Sequence, residues 1–153
     1  MKEKISIDTV DLIVNMKTFK KASYSQLNSK QKENHNFHKL ASLLASYCFN
    51  CIWLNDDVHG ADLLALSTEG DVYKIQLKGR LTFDKKYLNK DLYIAHPKWD
   101  GFSIYPHDEA LKLFIKRFEG TSSWNDKGWY STTTKYKEMD KYFVNKDSTE
   151  ISF

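Results

Sequence analysis

Asp62, Gln76 and Lys78 are the side chains in this sequence whose types and spacing suit chemistry. Asp62 opens the apolar run Leu63-Leu64-Ala65-Leu66, and Gln76-Leu77-Lys78 closes the run that begins at Val72. Alternate residues of a strand share a face. Gln76 and Lys78 therefore point one way, while Ile75 and Leu77 turn to a core. A tight turn at Glu69-Gly70-Asp71 would fold one strand over the other and bring Asp62 alongside. A carboxylate, an amide oxygen and an ammonium at one sheet edge can hold a hard divalent cation and stabilise charge on a phosphate. Phosphodiester hydrolysis needs that combination.

The elements that must position these groups follow from periodicity. Residues 8–21 carry a helical stripe of Leu12, Ile13, Met16 and Phe19, with acids early and lysines late. A stronger helix is expected from about Gln31 to Tyr47, with Phe37, Leu40, Ala41 and Leu44 on one side and Cys48 continuing the spacing. A short strand over 51–54 precedes a loop over 55–60, then the strands 61–67 and 72–78. Residues 79–91 read as a basic irregular segment. Strands over 92–95 and 102–105 flank a turn at 97–101, and Pro106-His107-Asp108-Glu109 opens a helix that Gly120 stops. Residues 121–133 read as a polar loop holding Trp124, Trp129 and Tyr130, before a short last helix around Met139. The whole is an α/β fold with a central mixed sheet flanked by helices, in a single domain over 1–153.

Composition narrows the partners. The net charge of +3 is small, but 23 basic residues include only two arginines, Arg80 and Arg117. Lysines act as point charges on phosphates, whereas bidentate reading of base edges is mostly arginine's work. Any nucleic-acid contact should therefore be largely to the backbone and sensitive to salt. No apolar run reaches the length of a membrane span, and the N-terminus has no apolar secretory core, so the chain is expected to be cytoplasmic. Cys48 and Cys51 have Cys-x-x-Cys spacing, but no second pair completes a zinc site. They are read as small buried hydrophobes.

The helix at 31–47, the strands after it, Gly60-Ala61-Asp62 and Gln76-Leu77-Lys78 together resemble the PD-(D/E)xK nuclease superfamily, whose fold is restriction-endonuclease-like. Gln76 replaces the second acid, as in the family's QxK branch, and Ala61 replaces the proline before the first acid. The run Lys85-Lys86-Tyr87-Leu88-Asn89-Lys90-Asp91-Leu92-Tyr93 is similar to that of uncharacterised bacterial members. The resemblance implies a metal-dependent endonuclease acting on DNA. Double-stranded DNA would be cut by a homo-oligomer, because each domain carries one site. The resemblance also implies Mg2+ as cofactor, with Mn2+ as a substitute, held by Asp62, Gln76 and a helical acid. Glu33 is nominated for that acid; an exposed first-turn glutamate is the alternative. Lys78 would stabilise the phosphorane and position or deprotonate the attacking water.

Around this set, Arg80, Lys85, Lys86 and Lys90, with Tyr87 between them, are the candidates for holding the phosphate backbone. Asp57 is the alternative to Asp62, since a slip of one residue reverses a strand's faces. His35 and His38 lie one helical turn apart and are read as solvent-facing or capping residues. The aromatic loop around Trp124 is read as completing a core or a subunit contact in preference to stacking on bases. The rival to catalysis is an inactive module of the same fold that binds nucleic acid or a protein, a reading that the neutral Gln76 favours.

Overall fold

The computed structural model describes residues 17–153. Most of the helix expected over 8–21 lies outside the described residues, and 17–21, which lie inside, are not helical. The first helix, α1 (Ser29–Ala45), starts two residues before its expected position because Asn28 caps it. Asn28 Oδ1 accepts from Gln31 N at 2.9 Å, and Gln31 Oε1 accepts from Asn28 N at 2.9 Å. This reciprocal pairing satisfies two backbone donors that a helix start otherwise leaves free.

Six strands form the main sheet: β1 (Asn50–Val58), β2 (Ala61–Leu66), β3 (Val72–Leu77), β5 (Leu92–Lys98), β6 (Gly101–Pro106) and β8 (Phe143–Val144), in that spatial order. All neighbours are antiparallel except β3 and β5, which run parallel. The sheet is therefore mixed, as expected. The β2–β3 turn closes where anticipated. Ser67 Oγ accepts from Asp71 N at 3.0 Å, and Gly70 supplies a φ of +95° that suits only glycine well.

Two segments differ from what local sequence predicts. Residues 55–58 are not a loop: β1 runs on to Val58, with a register shift between Trp53 and Val58. Residues 79–91 are not irregular either. They contain β4 (Leu81–Asp84), which pairs with β7 (Trp129–Thr132) in a separate two-stranded ribbon, followed by a turn of 3-10 helix at Lys85–Tyr87. This ribbon, not an α-helix, carries the chain across from β3 to its parallel neighbour β5.

The sheet is covered on both faces. Leu40 and Leu44 of α1 pack on Leu63, Ile75, Leu77 and Ala95. On the other face Ile94 and Tyr105 pack with Phe83 of the ribbon and with Phe114 and Phe118 of α2 (His107–Phe118). Ile94 and Ala95 thus serve opposite layers, as do Ile104 and Tyr105, which is the pattern of a strand buried on two sides. Two of the loop aromatics, Trp124 and Tyr130, complete the second layer, whereas Trp129 is exposed. Trp124 is buried edge-on to Phe118, and Tyr130 stacks on Phe118 at 4.3 Å between ring centroids. The cysteines depart from expectation: Cys48 is exposed, past the end of α1, and Cys51 is half-buried. Burial pushes the Cys51 thiol up to about 11, so it stays protonated and unreactive near neutral pH. Among the described residues no helix is long and apolar enough to cross a membrane.

Candidate functional site

Pairing of Leu63 with Ile75 carries Asp62 to the position opposite Gln76. Their side chains meet: Gln76 Nε2 donates to Asp62 Oδ2 at 2.5 Å, and Leu77 N donates to the same oxygen at 2.9 Å. Gln76 is buried, because the sheet face it occupies is the one covered by the ribbon and α2. In place of the expected open sheet edge, the three groups sit on the floor of a cleft.

That cleft, of about 300 Å³, is lined by Glu33, Asp62, Gln76 and Lys78, together with Lys30, Asp57 and Lys86. The structure therefore brings the four nominated groups to one place, from α1, β2, β3 and the residue after β3. Glu33 Oε2 accepts from Lys30 Nζ at 3.1 Å on the first turns of α1. Asp57 is turned to a structural task, since its Oδ1 accepts from Gly60 N at 2.5 Å and so closes the β1–β2 turn. Asp62, on β2 opposite Gln76, is in the register expected.

Charge in the cleft is perturbed in both directions. Burial raises the Asp62 carboxyl above its ordinary value, against the opposing pull of the Leu77 N–H and Lys78; Glu33 and Asp57 add to the rise. Burial also lowers the Lys78 ammonium, helped by Lys86 and opposed by Asp62. Burial thus disfavours the charged form of both groups, moving the carboxyl up and the amine down. Lys78 Nζ lies 5.3 Å from the centre of the Tyr87 ring, and Lys86 Nζ lies 5.0 Å from it. Buried Tyr87 is thus a wall that orients both ammonium groups, not a residue reaching for substrate.

The donor set suits a hard cation of the Mg2+ type. Asp62 Oδ1 and Gln76 Oε1 have no hydrogen-bond partner among the described residues, and neither is a sealed, unsatisfied atom. Both oxygens therefore keep access to the cleft, and Glu33 adds a second carboxylate at its rim. Among the described residues no three His, Cys, Asp or Glu side chains form a metal-binding group. An ion here would rest on two carboxylates and an amide oxygen, with water and substrate phosphate completing the shell.

The basic candidates divide. Arg80 lines a shallow groove that continues from the cleft and shares Lys78 and Lys86 with it. Its Nε donates to Ser131 Oγ at 2.7 Å, which fixes the side chain to β7. Lys85 lines neither the cleft nor the groove; its Nζ sits 5.2 Å over the Trp124 ring. Lys90 also lines neither, and its carbonyl accepts from Lys74 Nζ. His35 and His38 are exposed on α1 and lie outside the cleft. Lys30 joins the site without having stood out among the basic residues of the sequence; its place one helical turn before Glu33 is the signal that would have found it.

No protein-family model, no curated protein and no solved structure matches this chain.

Proposed function

We propose that this protein is a metal-dependent endonuclease of the PD-(D/E)xK type, with a restriction-endonuclease-like core, that hydrolyses phosphodiester bonds in DNA. The observation that carries this reading is the convergence of Glu33, Asp62, Gln76 and Lys78 on one polar cleft. The order of elements supports the core assignment: helix α1, the antiparallel strands β1–β3, and a parallel β5 beside β3.

Glu33, Asp62 and Gln76 Oε1 would hold Mg2+ or Mn2+, which when bound would polarise the phosphate and lower the pKa of an attacking water. The residues do the rest. The Leu77 N–H and the Gln76 amide fix Asp62 Oδ2, so that Oδ1 faces the cleft. Lys78, with its ammonium lowered by burial, places positive charge where the phosphoryl oxygens become more negative, and its amine lies closer to the range where it can exchange a proton with water. Arg80 and Lys86 hold the adjoining backbone phosphates. One such site cuts one strand, so breaking a duplex calls for a homodimer or a larger assembly.

Plasmid cleavage with Mg2+ or Mn2+ tests the reading. Asp62→Ala and Lys78→Ala should each lower the cutting rate by a factor of a hundred or more, on the order of the loss of one charged transition-state contact. Lys78→Ala should retain most of the DNA binding, losing only the one phosphate contact. Undiminished cutting by Lys78→Ala would refute the assignment. One observation favours a second reading, an inactive nucleic-acid-binding module: the Gln76 amide is engaged in pinning Asp62 and brings no charge of its own. That reading expects salt-dependent DNA binding and no cutting with either metal.

A further inference from the structure

A second cavity, of about 170 Å³, opens on the same sheet face as the cleft. Its floor holds His96 and Ser103, which pair across β5 and β6. The pairing of Leu77 with Ala95 puts this floor one strand over from Lys78, whose N–H donates to Ala95 O at 2.8 Å. Gly79 and Arg80 line both this cavity and the groove that leads back to the cleft.

Ser103 Oγ lies sealed beneath the floor without a hydrogen-bond partner, out of a ligand's reach, and two other observations at the cavity point to a ligand. His96 is buried beside it, and its Nδ1 lies 3.0 Å from Pro97 O. Burial lowers the ring to about 4, so it is neutral, Nδ1–H donates to that carbonyl, and Nε2 is left as an acceptor. Finally, Trp99 occupies the β5–β6 turn with a φ of +50°, where a bulky side chain is strained, and it remains 57% exposed at the cavity. Lys98 Nζ sits 4.2 Å over the indole and steadies it.

The floor does not suit a bare anion. Lys98 Nζ is already paired with Asp140 Oδ1 at 2.7 Å, and His96 Nε2 offers a lone pair instead of a proton. A planar heterocycle with N–H donors on its edge matches an acceptor and a flat indole. We propose that this cavity takes a nucleobase of the strand held at the cleft, stacked on Trp99 with its N–H edge on His96 Nε2. The inference rests on the nucleic-acid reading of the cleft, and it adds that the strand is gripped by an unstacked base next to the reacting phosphate.

The test is binding, measured by anisotropy with the full chain in EDTA. The probe is a short fluorescein-labelled single-stranded oligonucleotide, with the matching duplex and free nucleoside monophosphates as competitors. His96→Phe keeps a ring on the floor and removes the Nε2 acceptor, so the oligonucleotide should bind about fivefold more weakly. Trp99→Gly suits the turn and should stay folded, with binding weakened about tenfold or more. Unchanged oligonucleotide affinity in both variants would overturn the proposal. Monophosphate binding that the variants weaken, with strand binding untouched, would overturn the strand as the source of the base. Because EDTA prevents cutting, the outcomes separate. Weakened binding without any plasmid cleavage supports the base pocket and refutes the enzyme; cleavage with unaltered variant binding does the reverse.

Discussion

Asp62 holds its place through two donors on one oxygen, the Leu77 N–H and the Gln76 amide, and is nonetheless penalised for its charge by burial. The two facts have opposite consequences. The donors orient the carboxylate, while the raised pKa means that the folded protein holds the acidic proton more tightly than the unfolded chain does. Between the ordinary carboxyl value of 3.8 and the raised folded value, the folded state binds more protons, so this group's contribution to stability declines as pH rises through that window. Charge on Asp62 therefore opposes folding. Asp62→Asn keeps an oxygen for both donors and sheds the charge. The variant should melt at the same or a higher temperature than the parent at neutral pH while failing to cleave. Thermal scans across pH check the first half and a plasmid assay the second. A clear drop in melting temperature at neutral pH would mean that the ionised carboxylate stabilises the fold, and that its two donors outweigh its burial.

At the scale of elements, what is legible in the sequence is what is local. Helix α1 and the β2–β3 turn follow from short-range signals, and the period of two places Gln76 and Lys78 in alternation with Ile75 and Leu77. The β4–β7 ribbon is not legible, because Leu81 and Phe83 alternate like a strand for only four residues and their partners at 129–132 lie far along the chain. Without that ribbon, the layer that buries Gln76 and Tyr87 is invisible, and a covered floor looks like an open edge. The polar run Asn55-Asp56-Asp57 conceals the length of β1 in the same way. Its edge position leaves those residues exposed, as a loop would. The junction of β6 with β8 shows how tightly such distant pairings are set. A Cβ built on Gly101 would collide with Val144 O and lie 2.8 Å from Asn145 Cβ. These are close contacts with backbone and with the base of a side chain, so neither can swing clear. Gly101→Ala should cost about 2 kcal/mol or more by forcing β8 off the sheet. Its urea midpoint, compared with the parent's at equal slope, gives that figure directly; an unchanged midpoint would mean that β8 contributes little to the fold.

Across the whole molecule, the sheet face beneath the ribbon joins the cleft, the groove at Arg80 and the cavity at Trp99 into one path. Four cationic side chains line the cleft and its groove: Lys30, Lys78, Arg80 and Lys86. Lys85 and Lys90, equally basic in sequence, lie off this path. A net charge of +3, left over from 23 basic and 20 acidic residues, cannot by itself attract a polyanion strongly, so the proposed affinity for DNA would have to come from this local alignment. Counterion release makes the alignment countable. With about four phosphates neutralised, the logarithm of the duplex binding constant should fall with the logarithm of salt concentration at a slope of about −3 to −4. Lys86→Gln should make that slope shallower by about 1 and weaken binding alike on unrelated sequences. Lys90→Gln should leave both slope and affinity where they were. Titrations in a metal-free buffer over a salt series read all three quantities. Equal effects from Lys86→Gln and Lys90→Gln would mean that DNA follows the basic segment of the sequence, and not the path that the ribbon and the sheet define.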